Sequence, residues 1–159
     1  MARVETYATR SWAWSVMHRC LPKPAYMIDM DYLECCPHCK QPLIVGEIAK
    51  DVGQGFKATT ILRNLARKAQ LPAVLIFLRE DVVIEAVESI HGSLPENGYP
   101  NLTELELQAI WEYLKDSPLF RLKELYPVQK SEVNYTVRQF FDWLGEIHDK
   151  HEASCQRRQ

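Results

Sequence analysis

Asp29, Asp31, Glu34 and Glu47 stand in the stretch IDMDYLECCPHCKQPLIVGEIAK, residues 28–50, inside otherwise apolar runs. Burying an ionised carboxylate costs several kcal/mol unless a partner offsets it, and a metal ion is one such partner. Side chains alternate along a strand, so Asp29 and Asp31 share a face. Where the next strand is its neighbour, either acid can meet Glu47 across the sheet. Two carboxylates with a backbone carbonyl and waters make an octahedral oxygen site for Mg²⁺ or Mn²⁺. Such an ion activates water and steadies charge on a phosphate under attack. The plainer alternative is a one-sided sheet whose acids face solvent, and Glu34 is expected to do so.

The same stretch carries Cys35, Cys36 and Cys39. Cys36 and Cys39 form a C-x-x-C turn of the zinc-knuckle kind, which supplies two thiolates to one tetrahedral ion. Cys35, His38, His18 and Cys20 are available to complete a Zn²⁺ site, and a hairpin turn with no ion is the competing reading. Redox chemistry is disfavoured, because the motif does not precede a helix that would lower a thiol pKa. A zinc here would be structural, pinning the two acidic strands in register; thiolates select zinc and oxygens select Mg²⁺ or Mn²⁺.

These residues need elements to position them. Ala8, Trp12 and Val16 recur every fourth residue and predict a helix over 5–20. Residues 25–34 and 43–50 read as two strands of a hairpin around the cysteines. Residues 56–70 read as a helix with Ile61, Leu62, Leu65 and Ala69 on one side. The apolar run 72–79 reads as a strand buried on both faces, and VVIEAVESI, 82–90, as another strand. GSLPENGYPN is loop by composition. Thr103 and Glu106 form a capping box ahead of a helix marked by Leu107, Ile110, Trp111 and Leu114. A less regular stretch to about residue 133 precedes a final helix marked by Val137, Phe140, Phe141, Leu144 and Ile147, with Asn134 as its cap. Trp111 and Trp143 read as core. Of Trp12 and Trp14, one reads as core and one as a surface anchor. The tail 151–159 is expected to fray, and His91, His148 and His151 have no assigned role. The fold class is α/β, a small mixed central sheet flanked by helices, in one domain with a core at about 5–91 and a helical part at about 102–150.

The segments HRCLPKPAYMIDMDYLE and PLIVGEIAKD, in this order of elements, resemble the PD-(D/E)XK nuclease superfamily of restriction endonucleases and Holliday-junction resolvases. The resemblance covers roughly residues 10–90 and rests on an acid-bearing strand followed by Glu-x-Lys on the next. It implies a restriction-endonuclease-like fold, with Asp31 as the first metal ligand, Asp29 as a supporting one and Glu47 as the second. The lysine of the motif should fall at position 49, which is Ala49. Lys50 is adjacent but points to the other face of a regular strand unless a bulge turns it inward. Lys57, ahead of the following helix, is the other candidate, since lysine stems are long. In such a fold that helix packs beside the site, and Arg63, Arg67 and Lys68 on its exposed face would contact phosphates.

The totals fit this reading without singling it out. The chain has 159 residues, 47% hydrophobic and 25% charged, with a net charge of −2, which announces no broad basic surface. No apolar run approaches the ~20 residues of a membrane span. No signal-peptide core is legible in the first 25 residues, so the cytoplasm is the expected compartment. Five cysteines, two of them adjacent, make a poor disulfide framework. GQG lacks the Lys-Ser/Thr of a P-loop, and there is no serine nucleophile elbow. The expected function is an Mg²⁺- or Mn²⁺-dependent nuclease acting on DNA, resolvase-like and homodimeric where it cuts both strands. The alternative is an inactive nuclease-fold module that binds nucleic acid or a protein; Ala49 favours it.

Overall fold

The computed structural model describes residues 31–55, 57–96 and 100–155. The helix expected over 5–20, the first part of the strand expected at 25–34, and Trp12, Trp14, His18, Cys20 and Asp29 lie outside the described residues. In chain order the elements are β1 (Tyr32–Cys35), β2 (Pro42–Lys50), α1 (Thr60–Ala69), β3 (Ala73–Leu78), α2 (Glu80–His91), α3 (Glu104–Leu114), β4 (Phe120–Tyr126), β5 (Val133–Tyr135) and α4 (Val137–Glu152). The strands form one mixed sheet in the order β1-β2-β3-β4-β5. Among the described strands only β2 and β3 run parallel; the other neighbours are antiparallel. A parallel pair needs a crossover, and α1 supplies it.

Strand β3, AVLIFL, is buried almost throughout because both faces of the sheet are covered. Ala73, Leu75 and Phe77 join Val45, Leu125 and the α1 residues Leu62 and Ala66 in one core layer. Val74 and Ile76 join Ile44, Leu122 and Phe140 of α4 in the other. Helix α1 buries Leu62 and Ala66, four apart on one stripe, while Ile61 and Leu65 remain exposed. The small Ala66 faces the sheet where Ile61, Leu65 and Ala69 were expected to. On the α4 side, Phe140 stacks on Phe120 with centroids 4.1 Å apart.

Two segments differ from expectation. Residues 82–90 are helical, within α2. Their β-branched composition suggests a strand, but Val82, Val83, Ala86 and Val87 repeat with the helical period; Ala86 and Val87 are buried, and Val82, Val83 and Ala86 pack with α3, β4 and α4 residues. Glu80 and Asp81 in the first turn also suit the positive end of the helix dipole. The C-terminal part is not wholly helical, since β4 and β5 complete the sheet. The buried leucines of β4, Leu122 and Leu125, are three apart and face opposite layers. The β3–β4 ladder shifts register between Ala73 and Val74, and that irregularity hides the period-two signal.

The capping box at Thr103 and Glu106 forms. Glu106 is held down to about 2 by the Thr103 backbone and by His91, whose Nδ1 is 2.8 Å away. The cap of α4 is Thr136, with Gln139 closing the box, in place of Asn134, which lies in β5. Trp111 is 39% exposed and meets Phe141 edge-on, whereas Trp143 packs against the core. Among the described residues no helix is long and apolar enough to cross a membrane.

Candidate functional site

β1 and β2 pair antiparallel with Tyr32 opposite Gly46. Continuing that ladder by one residue sets Asp31 opposite Glu47. Alternation then puts both acids on the α1 face, with Val45 and Ala49 of β2. The Asp31 carboxylate is tied to β2, where Ile48 N–H donates to its Oδ2 at 3.2 Å.

Lys57 enters from the loop ahead of α1. Its ammonium contacts Glu47 Oε1, lies 3.9 Å from Asp31 Oδ2 and donates to the Ile48 carbonyl at 3.4 Å. Three oxygens, two carboxylate and one carbonyl, therefore surround one cation. The lysine, Glu47 and Asp31 side chains are each partly open to solvent.

Lys50 does not join them. The β2–β3 ladder runs without a shift from Val45 to Lys50, so no bulge turns Lys50 inward, and it is exposed at the strand end. What brings Lys57 back is the intervening loop. Asp51 closes a turn by accepting from Gly53 N–H at 2.9 Å, with Gly53 at φ 80°, a conformation glycine adopts without strain. Gln54 donates to the Lys50 carbonyl and accepts from Val52 N–H. Arg121 of β4 reaches across β3, its guanidinium 4.2 Å above the Phe77 ring. It donates to Asp51 Oδ1 at 2.9 Å, to the Gln54 carbonyl at 2.6 Å and to Glu132 Oε2 at 2.7 Å. The Arg121 guanidinium, followed by Gly53 N–H, holds the Asp51 carboxyl below the usual carboxylate range.

Arg63, Arg67 and Lys68 are all exposed on α1. Arg67 donates to Asn64 at 2.9 Å, and Arg67 and Lys68 occupy the last turn, where a basic residue also suits the helix dipole.

A second cluster lies at the other end of the β1–β2 hairpin. Cys36, Cys39, His151 and Cys155 each offer a ligand atom, and these atoms all lie within 4.8 Å of one another. This Cys₃His set has the composition and closeness to hold a metal ion such as zinc. Cys39 Sγ is 3.1 Å from His151 Nε2, and Cys36 Sγ is 3.9 Å from Cys155 Sγ. Hydrogen bonds from the Cys39 and His38 backbone pull the Cys36 thiol down to about 6 against the opposing effect of burial.

Cys36 and Cys39 belong to the expected set, whereas Cys35 is not in the cluster. His151, to which the sequence assigns no role, and Cys155 come from a segment expected to fray, and the structure instead brings both to the cluster. The expected ligands His18 and Cys20 fall outside the described residues. Glu34, expected to face solvent, instead accepts from the Tyr32 hydroxyl at 2.8 Å and lies 2.6 Å from His148 Nε2. Burial, with Glu34 as acceptor, holds Tyr32 well above the usual phenol value.

Compared with protein-family models, with curated proteins and with solved structures, the chain matches none.

Proposed function

We propose that this chain is a metal-dependent phosphodiesterase acting on DNA, of the restriction-endonuclease-like kind its sequence resembles. The observation that carries the proposal is the convergence of Asp31 Oδ2, Glu47 Oε1 and the Ile48 carbonyl on the single ammonium of Lys57. Oxygens gathered around a monovalent cation are a fitting donor set for Mg²⁺ or Mn²⁺, which take hard oxygen ligands and keep several waters. In this reading Asp31, Glu47 and the Ile48 carbonyl hold the ion. When bound, the ion supplies the charge that lowers the pKa of water and offsets the charge developing on the phosphate.

Lys57 takes the part of the lysine absent at position 49. Its ammonium reaches the same oxygens from the α1 side, and a flexible stem lets it hydrogen-bond a phosphate oxygen instead. Arg121 is a positioning residue, fixing the loop that delivers Lys57. Arg63, Arg67 and Lys68 extend a basic surface along α1 for the DNA backbone. Cutting both strands of a branched substrate would call for a homodimer.

A second reading has a specific observation behind it. The Lys57–Glu47 contact balances charge without any ion, as an inactive nuclease-fold module that only binds nucleic acid or protein would require. Incubation with duplex, single-stranded and branched DNA in Mg²⁺ or Mn²⁺ separates the two. Cleavage by the wild type and a fall of at least about 100-fold in Glu47→Gln are expected, since several kcal/mol of charge stabilisation is lost. Cutting undiminished in the variant rejects the site, and no cutting of any substrate favours the binding module.

A further inference from the structure

The hairpin and the end of α4 meet along one line of side chains. On the helix, Ile147, His148 and His151 fall on a single stripe at i, i+1 and i+4, and Cys155 follows four residues later. Ile147 packs beside Leu43, Cys36 and Cys155. His148 meets Glu34 of β1, and His151 meets Cys39. Cys36 is 1% exposed and Cys155 5% exposed, so the four donors lie at the edge of a closed apolar patch rather than on an open surface.

The turn's own backbone hydrogen bonds shape the hairpin half of the cluster. Cys36 N–H donates to the Gln41 carbonyl at 2.9 Å and Lys40 N–H to the Cys36 carbonyl at 3.0 Å. Lys40 adopts φ 62°, the left-handed conformation that this tight turn demands and that a non-glycine residue enters at a cost. The Lys40 ammonium donates to the Pro37 carbonyl at 2.8 Å and steadies the strained turn. The result is a compact loop with Cys36 and Cys39 aimed at the same point. Zinc–sulfur bonds of ~2.3 Å at tetrahedral angles separate two sulfurs by ~3.8 Å. Cys36 and Cys155 stand at 3.9 Å.

The structure assigns a tetrahedral zinc site to Cys36, Cys39, His151 and Cys155, a clasp that fastens the end of α4 to the β1–β2 hairpin. All four positions are filled by protein atoms, which marks a structural site rather than a catalytic one. Its consequence reaches the acid pair. Among the described residues β1 is a four-residue strand at the edge of the sheet, and its ladder shifts register between Glu34 and Cys35. Closing the hairpin onto α4 at Cys36 and Cys39 fixes that short strand, and with it the register that sets Asp31 against Glu47. The zinc assignment stands on the four ligands alone and is independent of the proposed hydrolysis.

Metal analysis of the chain purified under reducing conditions tests the clasp. About one zinc per chain is expected. Co²⁺ exchanged into the zinc-free protein is expected to show thiolate-to-metal charge transfer and the intense visible bands of a tetrahedral S₃N set. His151→Ala and Cys155→Ser should each lower bound metal at least about 10-fold, while Cys35→Ser retains it. Removing zinc from the wild type should lower Tm by about 10 °C or more. The cobalt spectrum of the wild type decides the matter even where a ligand variant fails to fold. A wild-type chain that contains no zinc and gives no charge-transfer band with Co²⁺ overturns the assignment, as does full retention of metal in Cys155→Ser.

Discussion

In the proposed hydrolysis Lys57 is the residue on which the chemistry turns, because its ammonium stands among the oxygens assigned to the ion and so competes with it. Its ammonium satisfies Glu47 and approaches Asp31, and removing it leaves two carboxylates facing each other with their main counter-charge gone. Lys57→Met is therefore expected to bind Mn²⁺ several-fold more tightly and to cleave DNA at least about 10-fold more slowly, since a donor to the phosphate is lost. Calorimetric titration with Mn²⁺ beside a cleavage assay reads both quantities, and a variant that loses metal affinity would show that Lys57 supports the cage rather than competing with the ion. Asp31, Glu47 and Lys57 were legible as candidates because strand alternation and a long lysine stem are local facts. The choice between Lys50 and Lys57 was not, since it depends on whether β2 stays regular through Lys50, and the parallel ladder to β3 decides that. His151 and Cys155 escaped notice because a tail's burial depends on where its helix docks, which no local spacing states.

At the scale of elements, the hairpin and β3 pack closely at Gly46. A Cβ on Gly46 would lie 3.0 Å from Tyr32 Cδ1, 3.0 Å from Val74 Cγ2 and 3.2 Å from the Val74 carbonyl oxygen. Two of these atoms belong to Val74, buried in β3, so the added methyl must displace packed groups by a few tenths of an ångström. Gly46→Ala is expected to destabilise the chain by about 1–3 kcal/mol, lowering Tm by about 3–10 °C, and to depress cleavage through its neighbour Glu47. Thermal unfolding measures the first effect, and an unchanged Tm would show that β1 shifts away at no cost. The elements around this point were legible, β2 and β3 as near-continuous apolar runs and α1 as a helix, although α1 buries Leu62 with Ala66 and leaves Ile61, Leu65 and Ala69 exposed. Residues 82–90 were misread because branched side chains speak for a strand while their period speaks for a helix, and packing on α3 follows the period. β4 was missed because its register shift separates Leu122 and Leu125 by three residues.

Across the whole molecule, two clusters of opposite chemical character sit on one hairpin. Hard oxygens gather on the α1 face, and soft sulfur and nitrogen donors gather where α4 closes the other end. Arg121 ties β4 to the loop that delivers Lys57, and α4 with the residues after it reaches back to the β1–β2 hairpin, His148 to Glu34 of β1 and His151 and Cys155 to the cysteine turn. Segments far apart in sequence thus hold the short strand that Asp31 immediately precedes. This long-range bracing was the least legible feature, because it joins residues such as Asp51 and Arg121, or Cys36 and Cys155, that no local pattern connects. The most direct measurement is a titration of the purified chain with Mn²⁺ followed by electron paramagnetic resonance. Saturable binding of one Mn²⁺ per chain, displaced by Mg²⁺ and abolished when Asp31→Asn and Glu47→Gln are combined, is the expected result. Mn²⁺ binding that survives undiminished in that double variant, or wild-type protein with no saturable binding, would contradict it.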